Sequence, residues 1–300
     1  MTAHVGLSLM LDEAYRAAII PLFEQGLVDA IEWSFDQGWG AREVPGWIPV
    51  LLDHYAAAGR LWGHGVTYSA GSVDGEARHG PWLERLADEI GRRPLCGISE
   101  HLGFMLAGDR IAGAPLPMPD GPGARAVLTN NLARIAAATG VPVGIENLAI
   151  ALSPDEPWQQ GPMIADVLDT IDGYLVLDLH NLWCQLVNYD LDADAVLATY
   201  PLHRARCIHV SGGSWWTHGP VADRFRRDTH DHGVPDEVLA LLSRCLPRCP
   251  ALEVVVLERI GEGLSEPGEA ERLREDFHAV RACVHAAEPT TGPTAEPDHG

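Results

Sequence analysis

The stretch LVLDLHNL, residues 175–182, sets the pattern from which the fold is predicted. It opens with Leu and Val, as a strand buried on both faces does, and the aliphatic run ends in a carboxylate at Asp178. Eight strand-like runs of this kind cross the chain, and six of them end in a side chain that can bind a metal ion. No single one of these residues is informative, but their periodic placement is.

The strand-like runs alternate with helical patterns along the whole chain. The predicted strands are 4–10, 28–35, 60–68, 95–103, 141–148, 174–181, 205–211 and 253–259. The predicted helices are 11–26, 46–58, 80–92, 123–139, 161–171, 192–200, 235–246 and 267–286. Parallel strands joined by helical crossovers predict an α/β fold, a (β/α)8 TIM barrel. We expect residues 1–288 to form this single domain and residues 289–300 to be a disordered tail.

The composition limits the chemistry and the partners of the chain. The formal net charge is −21, which argues against a nucleic-acid-binding surface. All 21 basic residues are Arg, so Schiff-base chemistry and a P-loop phosphate site are excluded. The six Cys form no CxxC pair and are expected to be reduced thiols. We found no basic segment before an apolar run and no run of transmembrane length, so we expect a cytoplasmic protein that does not enter membranes.

The metal-ligand side chains stand at the ends of successive predicted strands. They are His64, His101, Glu146, Asp178, His209 and Glu258. The loop motif RRDTHD adds Asp228 and His230, and Asn181 follows where the chain begins to turn. Glu146 lies between two other ligand strands, where its two oxygens could bridge two ions. Nine nitrogen and oxygen ligands are too many for one ion and suit two or three ions such as Fe, Mn or Zn.

Each of these residues also has a structural interpretation. A lone strand histidine such as His64 is more often a core residue that is hydrogen-bonded to a backbone carbonyl. Asp228 and His230 could belong to a loop at a helix N-terminus. Glu258 could form a salt bridge with the adjacent Arg259. The occurrence of all these residues at successive strand ends favours the metal site.

Seven short motifs carry a resemblance to a known family. In chain order they are HGV, SEHL, IEN, LDLHN, IHVSG, DTHD and LER. Together they resemble the multinuclear non-haem iron-dependent oxidative enzymes (MNIO). The resemblance implies a xylose-isomerase-like barrel, two or three iron ions of mixed Fe(II)/Fe(III) valence, and O2 as co-substrate. It also implies that the nine residues named above are the iron ligands, with Glu146 as the bridge.

The same resemblance implies a substrate and a partner. Members of the family modify ribosomally made peptides, usually at Cys or at a C-terminal residue such as Asp, and often with a partner protein that delivers the peptide. On this basis Glu146, Asp178 and His180 are the catalytic candidates. His180 stands where the family commonly has Asn or a small residue. It could be an extra ligand, a proton shuttle or a residue that orients a ligand.

Two long loops follow predicted strands and so belong to the face of the barrel where active sites lie. They are residues 105–122 and 211–233. The second loop contains Trp215, Arg224, Arg226 and Arg227. These arginines could bind a substrate carboxylate through bidentate contacts, and solvated charges paired with local acids are an equal alternative. We expect the three arginines and Trp215 to serve the substrate and not the fold.

Three functions are compatible with this pattern. The first is an iron- and O2-dependent oxidase or oxygenase that modifies a peptide residue. The second is a metal-dependent hydrolase or isomerase that acts on a phosphodiester or a sugar. The net charge and Asn181 disfavour a nuclease, and the absence of Lys disfavours a sugar isomerase. The third is a barrel that binds metal or peptide without catalysis.

Overall fold

Eight parallel strands close into a barrel in the computed structural model of the chain, which describes residues 3–41, 43–73, 76–107, 110–217 and 224–287. The barrel strands are β1 (His4–Ser8), β2 (Ala30–Trp33), β3 (Leu61–His64), β4 (Ile98–His101), β7 (Val143–Glu146), β8 (Tyr174–Asp178), β9 (Ala205–Val210) and β12 (Val254–Leu257). Each pairs with the next barrel strand in this order, and β12 pairs with β1. The remaining strands form two hairpins, β5 (Phe104–Ala107) with β6 (Arg110–Leu116) and β10 (Trp215–Trp216) with β11 (Phe225–Arg226). The predicted (β/α)8 barrel is confirmed.

Helices connect the barrel strands. They are α1 (Glu13–Glu24), α2 (Phe35–Gly40), α3 (Trp47–Ala57), α4 (Glu76–Arg92), α5 (Pro122–Thr139), α6 (Glu156–Ile171), α7 (Leu179–Tyr189), α8 (Ala193–Leu197), α9 (Asp236–Cys245) and α10 (Glu269–Ala286), with 3-10 turns at Leu202–Arg204 and Leu246–Arg248. The last helix, α10, packs against α1 and closes the outer ring. Within the described ranges, no helix combines the length and the apolar character needed to cross a membrane. The predicted disordered tail, 289–300, lies outside the described residues.

An apolar cluster fills the inside of the barrel and supports the polar side chains above it. Its members are Ala30, Trp62, Tyr174, Val176, Cys207, Val254 and Val256. Side chains alternate between the two faces of a strand, so the residue two positions further along each strand also points inward. That residue is His64 after Trp62 and Asp178 after Val176. The next layer, at the carboxyl ends of the strands, is therefore polar.

Two glycines make room for the aromatic rings of this cluster. A Cβ atom at Gly144 would lie 2.5 Å from Cε2 of Tyr174, and one at Gly97 would lie 2.7 Å from the Tyr174 hydroxyl. The ring of Tyr174 meets the ring of Trp62 edge to face, with 5.9 Å between the centroids. Gly144 in β7 and Gly97, directly before β4, therefore allow large rings to fill the barrel directly below the polar layer.

The predicted strand 174–181 extends too far, and the helix that follows it was not predicted. The strand ends at Asp178, and α7 begins at the next residue. The Asp178 side chain accepts a hydrogen bond of 2.6 Å from the backbone N–H of Asn181, which caps this helix. Residues 179–186 of α7 are all buried, so the apolar run continues across the boundary between strand and helix. Hydrophobic periodicity does not separate the two elements there.

Both predicted loops on the active face contain hairpins. The segment 105–122 includes most of β5 and β6, and 211–233 includes β10 and β11. The Ser69 hydroxyl anchors the first hairpin by accepting hydrogen bonds from two backbone N–H groups of β5. The Asn188 amide anchors the second by bonding both the backbone N–H and the backbone carbonyl of Arg226. Both hairpins are thus fixed above the carboxyl ends of the barrel strands.

We predict that Gly144→Ala destabilises the barrel by about 1–3 kcal/mol, because the added methyl group collides with the Tyr174 ring inside a packed core. Urea unfolding measures the change. Gly91→Ala is the matched control, since no atom lies within 4 Å of the site of its Cβ and helix α4 favours Ala. A Gly144→Ala variant as stable as Gly91→Ala would contradict this account of the core.

Candidate metal centre

The six strand-end ligands form two groups that share one carboxylate. In each group the ligand atoms lie within 4.8 Å of one another. The first group is His64, His101 and Glu146, and the second is Glu146, Asp178, His209 and Glu258. Glu146 stands between the two groups, in the position of a carboxylate that bridges two ions.

In the first group, two imidazoles face one carboxylate oxygen. The Nε2 atoms of His101 and His64 lie 3.2 and 3.6 Å from Oε2 of Glu146. The other ring nitrogen of His64, Nδ1, lies 2.9 Å from the Ser99 hydroxyl. Among the described residues, Oε2 of Glu146 finds no hydrogen-bond partner of suitable geometry. Lone pairs that converge without hydrogen bonding are typical of ligands around a metal position.

In the second group, carboxylates surround His209. Its Nδ1 lies 3.0 Å from Oε1 of Glu146 and 3.5 Å from Oε2 of Glu258. Asp178 uses one oxygen to cap α7, while its Oδ2 has no hydrogen-bond partner in the described part of the chain. The alternative partner of Glu258, Arg259, instead forms a salt bridge with Glu269. Glu258 is therefore free to face the centre.

The Asp228 and His230 pair lies beside the second group. Nε2 of His230 is 2.8 Å from Oδ1 of Asp228 and 3.9 Å from Oε2 of Glu258. The φ angle of His230 is 53°, a left-handed conformation that is uncommon for residues other than Gly and that concentrates at functional sites. Asn181 donates from its amide nitrogen to the carbonyl oxygen of Asn147 at 3.0 Å, and its Oδ1 is left without a hydrogen-bond partner among the described residues.

Buried negative charge dominates the electrostatics of the centre. Burial raises the pKa of Asp178 well above its ordinary value, and the charges of Asp228 and Glu146 raise it further. Burial also raises the pKa of Glu258. It lowers the pKa of His101 to about 4, so this imidazole is neutral at pH 7 and can offer a lone pair. Divalent cations would offset the repulsion among the carboxylates.

The oxygen atoms that lack a hydrogen-bond partner indicate whether iron fits this centre. Four buried oxygen atoms of the centre have no hydrogen-bond partner among the described residues. They are Oε2 of Glu32, Oε2 of Glu146, Oδ2 of Asp178 and Oδ1 of Asn181. A buried oxygen without a partner costs free energy, and coordination to a cation removes that cost. Imidazole, carboxylate and amide donors suit iron, manganese or zinc. The residues therefore fit the iron ions that the sequence resemblance implies.

His180 contacts a predicted ligand, and both of its ring nitrogens are engaged. Its Nδ1 lies 2.9 Å from Oδ1 of Asp228, and its Nε2 lies 3.2 Å from Nη2 of Arg226. Because a guanidinium only donates, Nε2 accepts and Nδ1 donates to Asp228. Burial lowers the pKa of His180, in keeping with a neutral ring. This geometry favours an orienting role for His180 over the alternatives of an extra ligand or a proton shuttle.

The second hairpin holds its arginines in different environments. Arg226 is 6% exposed, and its guanidinium stacks on Trp183 and Trp215 at 4.6 and 5.5 Å from the ring centroids. Arg224 is exposed and lies 3.6 Å from the centroid of Trp215. Arg227 is exposed and donates to the Ser214 hydroxyl. Arg226 is therefore buried against the tryptophans of the fold, whereas Arg224 and Arg227 are exposed to solvent.

A cavity of about 600 Å³ opens above the centre, within the range of roughly 300–1,000 Å³ usual for ligand sites. Seven predicted ligands line it: His64, His101, Glu146, Asn181, Asp228, His230 and Glu258. Both hairpins contribute walls, with Met105, Gly113, Ala114 and Pro115 from the first and Trp216, Phe225, Arg226 and Arg227 from the second or its flank. Of the four residues expected to bind substrate, Arg226 and Arg227 line the described cavity, whereas Trp215 and Arg224 are not among its lining residues.

One buried carboxylate of the centre was not predicted from the sequence. Glu32 in β2 is 1% exposed, and its Oε1 lies 3.1 Å from Nε2 of His209. With Cys207 and His209 it forms a third group whose ligand atoms lie within 4.8 Å of one another. The signal was present in AIEW, residues 30–33, where a charged residue interrupts a buried apolar run.

The barrel and the ligand groups at its mouth define a barrel of the xylose-isomerase-like type with a candidate metal centre. Structures with this fold include D-psicose 3-epimerase from Clostridium cellulolyticum, with a TM-score of 0.59, 13% identity, and coverage of 95% of this chain and 100% of that chain. Endonuclease IV from Thermus thermophilus has a TM-score of 0.56 and 16% identity, with coverage of 94% and 99%. At such low identity the likeness concerns the fold alone.

The chain belongs to the family of RiPP precursor modification enzymes MbnB/TglH/ChrH, whose model matches residues 42–283. RiPPs are ribosomally synthesised and post-translationally modified peptides. This membership confirms the family resemblance stated from the motifs. A UPF0276 protein of Streptomyces avermitilis is 32% identical over 276 residues, which cover 87% of this chain. The chain spans 54% of the length of that relative.

We predict that Arg226→Met lowers the free energy of unfolding by about 1–3 kcal/mol, because it leaves Nε2 of the buried His180 without its donor. Arg224→Met is the matched control and should change stability by less than about 0.5 kcal/mol, since Arg224 is exposed. Urea unfolding of the two variants makes the comparison. Equal unfolding midpoints would show that the stacked guanidinium does not support the hairpin.

Proposed function

We propose that this chain is a multinuclear non-haem iron enzyme that uses O2 to modify one residue of a ribosomally made peptide. The observation that carries the proposal is the sharing of Glu146 by two groups of buried nitrogen and oxygen ligands beneath an open cavity. Family membership supports a peptide as the substrate. A partner protein that presents the peptide, and a cytoplasmic location, stay predictions from the sequence.

The nine predicted ligands would hold two or three iron ions. They are His64, His101, Glu146, Asp178, Asn181, His209, Asp228, His230 and Glu258. Glu146 would contact two ions through its separate oxygens, one facing His64 and His101 and the other facing His209. Bound iron would supply the one-electron and O2 chemistry that side chains alone cannot perform.

The remaining side chains would bind the peptide and protect the reaction from water. The two hairpins surround the cavity with apolar groups, including Met105, Pro115 and Phe225. Arg227 lines the same cavity and is exposed, so we propose it for a carboxylate of the peptide. Trp215 and Arg224 would shape the rim behind it. Asp178 would act as a ligand, and His180 would hold Asp228 by its Nδ1–H.

Protein purified without oxygen should contain about two to three iron ions per chain, because the donor set is too large for one ion. It should consume O2 when its peptide is added. Elemental analysis and an oxygen electrode provide the two measurements. A chain that holds zinc only, or that turns over a sugar or a phosphodiester without O2, would replace this proposal by the hydrolase or isomerase alternative.

Glu146→Gln should reduce the iron content to about half or less and should cost more iron than Glu258→Gln, since a bridging carboxylate neutralises two cations. Glu100→Gln is the matched control. Glu100 is equally buried on the neighbouring strand β4, but strand alternation directs it away from the barrel interior, and burial already raises its pKa well above the ordinary value. If Glu258→Gln loses iron while Glu146→Gln keeps it, the bridge is assigned to the wrong residue.

Arg227→Gln should weaken binding of a peptide with a free C-terminal carboxylate by at least about tenfold, because a charge-assisted bidentate contact contributes about 1.5–3 kcal/mol. Calorimetric titration of the anaerobic protein measures the affinity. Arg224→Gln serves as the control on the protein, and a C-terminally amidated peptide serves as the control on the ligand. If both variants lose the same affinity for the peptide, or if Arg227→Gln loses the same affinity for both peptides, Arg227 does not bind the carboxylate.

A further inference from the structure

The side chain of Glu32 reaches across the barrel to a predicted ligand on a distant strand. Glu32 lies on β2, and β1 and β12 separate that strand from β9, which carries His209. Oε1 of Glu32 lies 3.1 Å from Nε2 of His209, and both side chains are essentially inaccessible to solvent. The other oxygen of Glu32 has no hydrogen-bond partner among the described residues. Burial of this carboxylate costs free energy, so we expect an interaction of the Glu32 side chain that offsets the cost.

The two ring nitrogens of His209 face different groups. Nδ1 points to Oε1 of Glu146 and to Oε2 of Glu258, at 3.0 and 3.5 Å. Nε2 points to Glu32. A neutral imidazole carries one proton, and the nitrogen without it offers the lone pair that binds a metal. A proton on Nε2 would be shared with Glu32, and Nδ1 would then offer its lone pair to an ion held by Glu146 and Glu258.

The neighbouring thiol does not replace Glu32 in this role. Cys207 lies two residues before His209 on the same strand and points into the barrel interior, in the apolar cluster directly below the polar layer. A thiol is a weak acceptor for an imidazole N–H, whereas a carboxylate is a strong one. Glu32 supplies the negative charge that a donating imidazole prefers.

We propose that Glu32 is a positioning residue that accepts the Nε2–H of His209 and thereby aims Nδ1 at the metal position between Glu146 and Glu258. The inference rests on the proposed function only in requiring that a metal ion binds there. Carboxylates that hold the outer nitrogen of a metal-binding histidine fix its tautomer and strengthen it as a ligand. The bound cation in turn lowers the cost of burying Glu32.

The experiment compares Glu32→Ala and Glu32→Gln in the full chain, with Co(II) as the probe. Glu32→Ala should weaken binding of the cobalt ion near His209 by about 10–100-fold, the usual effect of removing such a carboxylate. Glu32→Gln keeps an oxygen that can accept the N–H and should restore most of the affinity. Glu100→Gln, a buried carboxylate outside the site, should match the wild type.

A second measurement reports the His209 ring directly. In the cobalt form, proton NMR should show a paramagnetically shifted ring N–H of His209 that exchanges slowly with water, because its partner is the buried Glu32. Glu32→Ala should lose this signal to exchange, whereas Glu32→Gln should retain it. If Glu32→Ala does not fold, Glu32→Gln alone decides the question through the same signal. Wild-type affinity and an unchanged signal in Glu32→Ala, or a lost signal in Glu32→Gln with unchanged Glu100→Gln, would overturn the proposal.

The main competing arrangement is a separate ion held by Glu32, Cys207 and His209, whose ligand atoms lie within 4.8 Å of one another. Thiolate ligation would give an intense sulfur-to-cobalt charge-transfer band that disappears in Cys207→Ser. Such a band would place a cobalt ion on the side of His209 that faces Glu32 and Cys207, and it would refute the positioning role of Glu32. None of these readouts depends on iron, O2 or peptide, so a failure of the oxidase proposal and a failure of this inference are distinguishable.

Discussion

Repulsion among carboxylates buried at one end of the barrel is the constraint on which the structure depends. Glu32, Glu146, Asp178 and Glu258 are almost inaccessible to solvent and meet around His209. Unpaired buried charges cost several kcal/mol each, so the polypeptide alone would not favour this arrangement. A closed barrel can impose it, because each strand is hydrogen-bonded on both sides and the rings of the apolar cluster block collapse from below.

Neighbouring polar groups hold the ligands in place. Asp178 lies at the N-terminus of α7, where the helix dipole favours its charge. The Asn147 side chain bonds both the backbone N–H and the carbonyl of Asp178, at 2.8 and 2.9 Å, and its own carbonyl accepts from Asn181. The residue that follows β7, the last residue of β8 and the first turn of α7 are therefore hydrogen-bonded to one another at the edge of the centre. These hydrogen bonds would keep the ligand side chains in position when no metal ion is bound.

The sequence predicted the barrel, and most of the polar side chains that meet at its mouth, because strand alternation and strand ends are local properties. It did not predict α7, since the apolar residues run from strand into helix without a break at Asp178. It missed Glu32 because one carboxylate in a short apolar run has no local partner, and the partner His209 is distant in sequence. The burial of Arg226 depends on Trp183, which no local pattern connects to the second hairpin.

The contacts from Arg226 through His180 to Asp228 connect the hairpin above the cavity with a predicted ligand below it. If a metal ion occupies the proposed centre, its binding and the binding of a ligand in the cavity would be linked through these contacts. A peptide that shifted the hairpin would alter the position of Asp228, and with it the affinity for an ion there. By reciprocity, the ion would change the affinity for the peptide by the same factor. An affinity measured on metal-free protein would therefore describe a different binding equilibrium from that of the loaded enzyme.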